Sequence, residues 1–153
     1  MYHLAEINIA QLRAPLTDPL IKEFVAGLDP INALADQSPG FIWRLQTEEG
    51  DATSLRPFDN ELMIVNMSVW EDVAALKSYV YKSNHVDFLR RRKEWFEKME
   101  LFFAMWWIPV GHVPTVDEGK AKLAYLAQHG ETHESFTFRS PFPMPDAVAL
   151  AKN

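Results

Sequence analysis

The chain has 153 residues, a formal net charge of −6 and no cysteine, with hydrophobic and charged fractions of 48% and 24%. That length and composition make one globular domain with an ordinary core. The acidic balance argues against a nucleic-acid surface, the lack of cysteine excludes disulfides and thiolate chemistry, and no apolar run is long enough to span a membrane.

MYHLAEINIA carries no basic segment ahead of an apolar one, so it does not read as a signal peptide and the expected setting is the cytoplasm. Residues 2–10 alternate as a strand. His3, Ala5, Ile7 and Ile9 share one face, which is expected to meet helices. Tyr2, Leu4, Glu6 and Asn8 share the other, which needs a different cover. Asp18 caps a helix with Pro19 in its first position. Gly27 and Asp29-Pro30 then interrupt it, giving one kinked helix or, as the favoured expectation, two short pieces. Ser38-Pro39-Gly40 is a turn, and 41–47 form a second strand. Residues 47–60 are polar and longer than an ordinary hairpin connection, and so read as a flap. The third strand, 61–69, again places polar groups, Asn66 and Ser68, on one face only. Trp70 closes it, and Glu71 and Asp72 start a helix that runs to about Tyr81.

The segment Asn84–Met99 reads as a helix. On a 3.6-residue wheel His85, Leu89, Arg92, Phe96 and Met99 lie within roughly 40° of one direction, with Phe88 and Trp95 beside them. An imidazole and a guanidinium thus sit on an apolar face, roughly 10 Å apart along the axis. A buried Arg needs an anionic partner or a wet cavity. Arg92 is therefore either half of a structural ion pair or the clamp of a ligand pocket, and His85 either a bonded core residue or a base. Residues 101–110 form the fourth strand, in which Trp106 and Trp107 face opposite ways. Thr115 and Glu118 have capping-box spacing for a helix that ends at Gly130, and 135–139 form a short final strand. The proline-punctuated stretch 140–153 is a tail lying on the surface or on a partner.

The order β-α-β-β-α-β makes this an α+β chain, a single domain over 1–153. Two split βαβ units give a ferredoxin-like antiparallel sheet with helices on one face, plus an extra C-terminal helix and short strand. A half-apolar sheet face is not left in water, so a second copy of the chain is expected to cover it, making a homodimer.

GFIWRLQ (40–46), KSNHVDFLRRRKEWF (82–96), MWWIPVGHVPTVDEG (105–119) and SFTF (135–138) resemble a bacterial domain-of-unknown-function family. That family lies within the dimeric α/β-barrel superfamily, alongside the antibiotic-biosynthesis monooxygenases. The resemblance implies a homodimer that binds an apolar, aromatic small molecule, with cofactor-independent monooxygenase or isomerase chemistry. In that reading His85 is base or polar anchor, Arg92 an anion clamp and Asn8 an orienting donor. Trp43, Arg44, Asn66, Trp70, Trp106 and Trp107 would line the site, without cofactor. The haem-degrading branch of the superfamily implies an alternative, with His85 as axial ligand and Asn8 and Trp70 at comparable points; here the His comes later after the Trp. A non-catalytic small-ligand module is a third reading. His112, Glu118, His129 and His133 fit no zinc spacing, so no metal site is expected. No phosphate loop or nucleophile elbow is present.

Overall fold

The computed structural model describes residues 1–15, 17–45, 62–82, 92–96 and 102–145, with only the backbone given for residues 28, 29, 82, 92 and 93. The expected flap, His85, and the tail from 146 onward lie outside the described residues.

Strand β1 (Tyr2–Gln11) leads to a 3₁₀ turn, Pro19–Ile21, and helix α1 (Lys22–Gln37). Then come β2 (Phe41–Arg44), β3 (Met63–Trp70), α2 (Val73–Lys82), the short α3 (Arg92–Trp95), β4 (Phe103–Pro109) and α4 (Val116–His129). The sheet order is β2-β3-β1-β4, every neighbour antiparallel. This is the ferredoxin-like arrangement, in which each βαβ crossover steps over one strand position, leaving β3 between β1 and β2 and β1 between β3 and β4. Phe136 extends the sheet by one bridge, exchanging both backbone hydrogen bonds with Met105 at 2.7 and 3.0 Å.

The caps explain where helices begin. The Asp18 carboxylate accepts from Leu20 N at 2.9 Å, and Asp72 accepts from Ala75 N at 2.8 Å. Thr115 Oγ1 accepts from Glu118 N at 3.1 Å, and Gly130, at φ 73°, terminates α4.

Three expectations need correction. First, α1 is one helix with Pro30 inside it, not two pieces. A proline there costs about 3 kcal/mol, but both ends of the helix are anchored, Phe24 in one core cluster and Ala35 in another. Second, the helix expected through Met99 stops at Trp95. Trp95 O accepts from Arg13 N at 2.7 Å, and Phe96 bridges Leu12 in extended form. Both rings pack on Phe24, with centroids at 5.6 and 5.0 Å.

Third, the two sheet faces are covered the other way round. The face of Leu4, Trp70 and Met105 meets α1, α2 and the segment 136–142 through Ala35, Leu76, Tyr79, Phe136 and Phe142. Among the described residues, the face of Ala5, Ile7, Val65, Met67, Ala104 and Trp106 meets the extra helix, α4, through Leu123 and Leu126. Among the described residues each face is covered by elements of the same chain, which leaves the expected homodimer without the bare sheet face it was argued from.

Candidate functional site

The face under α1 and α2 carries two apolar clusters at opposite ends of β1. One is built on Leu4 and Trp70, the other on Leu12 and Trp95. Between them runs a polar strip. β1 contributes Glu6 and Asn8; β3, in antiparallel register, sets Ser68 opposite Glu6 and Asn66 opposite Asn8.

Glu6 is 3% exposed. Its Oε1 accepts from Ser68 Oγ at 2.6 Å, and its Oε2 accepts from Asn8 Nδ2 at 3.1 Å. Ser68 Oγ in turn accepts from Trp70 Nε1 at 2.8 Å. The Asn8 amide also reaches Asn66 Oδ1 at 3.4 Å, and Asn66 is the exposed member of the strip. Burial dominates the acidity: it raises the Glu6 carboxyl from 4.5 to about 7, against the pull of the Ser68 and Asn8 hydrogen bonds, which favour the charged form. A carboxyl poised there can take or give a proton near neutral pH.

Trp70 is fully buried. Phe41 meets it edge-on at 5.4 Å and Tyr79 stacks on it at 5.1 Å. The Tyr79 hydroxyl donates to Ile31 O at 3.3 Å. Burial, and secondarily the Glu6 charge, push that phenol above its ordinary value, while Arg44 opposes the shift. Tyr79 also lines a groove of about 410 Å³ between Ser38-Pro39-Gly40 and the start of α2, with Glu71 and Asp72 at its edge.

The residues expected to form the site divide between the two faces. Asn8, Asn66, Trp70 and Trp107 lie on the strip's face, in register with one another across β1. Arg44, opposite Ser68, pairs with Asp36 of α1 at 2.8 Å. Trp107 Nε1 donates to Phe142 O at 3.0 Å, which pins part of the expected tail to the sheet. Trp43 and Trp106 belong to the α4 face and cannot line the same pocket. His85 lies outside the described residues, and Arg92 is placed by its backbone in α3.

The haem alternative does not fit what is described. Trp70 offers no open face to a porphyrin, being packed between Phe41 and Tyr79, and the Asn8 amide is committed to Glu6 and Asn66. Among the described residues no three metal-ligating side chains come together. His112 and Glu118 do meet, Nε2 to Oε1 at 2.7 Å, while Glu118 Oε2 accepts from the buried Trp106 Nε1 at 2.8 Å. His129 instead packs on Tyr125, with ring centroids 4.2 Å apart.

Glu6, Ser68 and Tyr79 escape notice as site residues in the sequence. The signal is present in the alternation: an acid flanked at i−2 by Leu4, on a face that is otherwise half apolar.

Residues 3–152 match the family described as "Domain of unknown function (DUF3291)". No curated protein matches the chain. The path of the chain is similar to that of several crystal structures. SnoaB, a cofactor-independent oxygenase from Streptomyces nogalater, is 14% identical over 74% of this chain and 97% of its own, with a TM-score of 0.49. PA3566 from Pseudomonas aeruginosa is 14% identical over 71% and 93%, with a TM-score of 0.47. A dabb family protein with a ferredoxin-like fold from Mesorhizobium loti is 19% identical over 71% and 99%, with a TM-score of 0.44.

Proposed function

The chain belongs to the domain-of-unknown-function family DUF3291, and on its own site chemistry we propose that it binds an apolar, aromatic small molecule over the polar strip of β1 and β3. Glu6 acts there as the acid–base group. The observation that carries this reading is a carboxyl buried in mid-sheet, bonded at both oxygens, and raised to about 7. Burying such a group costs several kcal/mol, and an apolar side chain would stabilise the sheet better at that position. Asn66, exposed at the edge of the strip, gives a ligand its first polar contact. Proton abstraction from an acidic O–H or C–H is the step this group performs, the opening move of either a cofactor-independent oxygenation or an isomerisation. His85 as polar anchor and Arg92 as anion clamp remain part of the proposal, as does a cytoplasmic setting.

Fluorescence titration with 1-naphthol across pH 5–9 tests it. Binding is expected to change with a midpoint near 7, and the midpoint should vanish in Glu6→Gln. Arg92→Met should weaken binding of a carboxylated naphthol by about 1.5–3 kcal/mol, the scale of a charged hydrogen bond, with little change in melting temperature. Binding that is the same at every pH and in both variants would refute the assignment of the site.

A further inference from the structure

We infer that Trp70 and Ser68 are positioning residues for Glu6: the indole N–H holds the Ser68 oxygen as an acceptor, so the single hydroxyl proton is directed at Oε1. The inference rests on the reading of Glu6 as the acid–base group and adds how that group is held.

A serine hydroxyl has one proton to give and rotates to suit its surroundings. At Ser68 that freedom is removed. Its oxygen receives Trp70 Nε1–H at 2.8 Å and sits 2.6 Å from Glu6 Oε1, the separation of a charge-assisted O–H···O⁻ bond. The donor cannot swing away either. The indole is clamped between Phe41, edge-on at 5.4 Å, and Tyr79, stacked at 5.1 Å. Aromatic packing thereby sets the direction of the N–H, the N–H sets the hydroxyl, and the hydroxyl sets the carboxylate. Asn8 holds the other oxygen. The hydrogen bonds from Ser68 and Asn8 both oppose the effect of burial on Glu6. Among the described residues, Tyr79 on α2 feels the Glu6 charge, and beyond it stand Arg44 on β2 and its partner Asp36 on α1, whose charges also act on Tyr79.

Carboxyl-carbon NMR of protein labelled at glutamate, with Glu6→Gln assigning the resonance, reads the Glu6 titration without any ligand. Ser68→Ala is expected to move the midpoint up by about one unit or more, and Ser68→Thr to leave it in place. Trp70→Phe keeps an aromatic ring but loses the N–H. It should move the midpoint up by less, and the double variant with Ser68→Ala by no more than Ser68→Ala alone. Unfolding would move the midpoint down, toward an ordinary carboxylate, so it cannot mimic the expected shift. The unaltered protein supplies a second measurement: the Trp70 Nε1–H resonance should titrate with the Glu6 midpoint, and stop doing so in Glu6→Gln. A Trp70 signal indifferent to the Glu6 titration, or a midpoint unmoved by Ser68→Ala, overturns the inference. Failure of the naphthol titration with these shifts intact would overturn the proposed function alone.

Discussion

A carboxyl group in the middle of a central strand must be bonded, protonated or both, and Glu6 is balanced between these states. Desolvation favours the neutral form, and the Ser68 and Asn8 donors favour the charged one. The consequence for stability has a definite sign. The folded value, about 7, lies above the ordinary 4.5, so between those pH values the folded chain binds the proton that the unfolded chain has released. This contribution is fully present below about 4.5 and is lost as pH rises through 7. It amounts to about 3 kcal/mol across the window. Glu6→Gln, permanently neutral, should remove it. Urea unfolding at pH 5 and pH 8 should show the unaltered protein losing stability over the interval relative to the variant. Parallel pH profiles for the two would contradict a raised Glu6.

The elements follow their local chemistry where capping and alternation speak, and depart from it where packing competes. β1 alternates as expected because period-2 patterning is a property of the strand itself. α1 continues through Pro30 and α3 stops at Trp95 for the converse reason: contacts made far away in sequence outweigh local preference. α4 offers a test of the same competition. Gly119 is the fourth residue of the helix, still in its first turn, where Ala would gain at most about 1 kcal/mol of propensity. A Cβ at that position, however, would stand 2.7 Å from Ile7 Cδ1 and 3.3 Å from Ile7 Cβ and Met67 Cε. Overpacking of this kind costs about 1–3 kcal/mol, and Ile7 is β-branched and fully buried. Gly119→Ala should therefore destabilise by about 1 kcal/mol net, and Ile7→Val, which deletes the clashing methyl, should recover most of that loss in a double-mutant cycle. Strict additivity of the two changes would mean that α4 does not rest on Ile7.

At the scale of the whole molecule, the coverage of the sheet bears on assembly. α4 occupies the face that a second sheet would need, while α1, α2 and the segment 136–142 occupy the other. A sheet-to-sheet dimer would have to expel Leu123 and Leu126 from the core. Analytical ultracentrifugation at micromolar concentration is expected to give the mass of one chain, 17.6 kDa. A dimer there would place the contact on an edge strand or a helix surface. No helix among the described residues is long and apolar enough to cross a membrane.

Alternation, caps and turn residues determined the elements and their order, hence the ferredoxin-like sheet, because each of these signals acts over a few residues. The same alternation placed Glu6, Asn8, Asn66 and Ser68 on one face of their strands and set Trp106 against Trp107. Tertiary structure alone decided which helix covers which face, since both faces of β1 carry enough apolar surface to accept one. It also decided that Ser68 stands opposite Glu6 and hands it a proton bond directed by Trp70. That depends on the register between strands about sixty residues apart in sequence, which follows from no local pattern. Trp43 and Trp106 are parted from Asn8 for the same reason: a side chain's face is local, but what lies over that face is set by the packing of the entire chain.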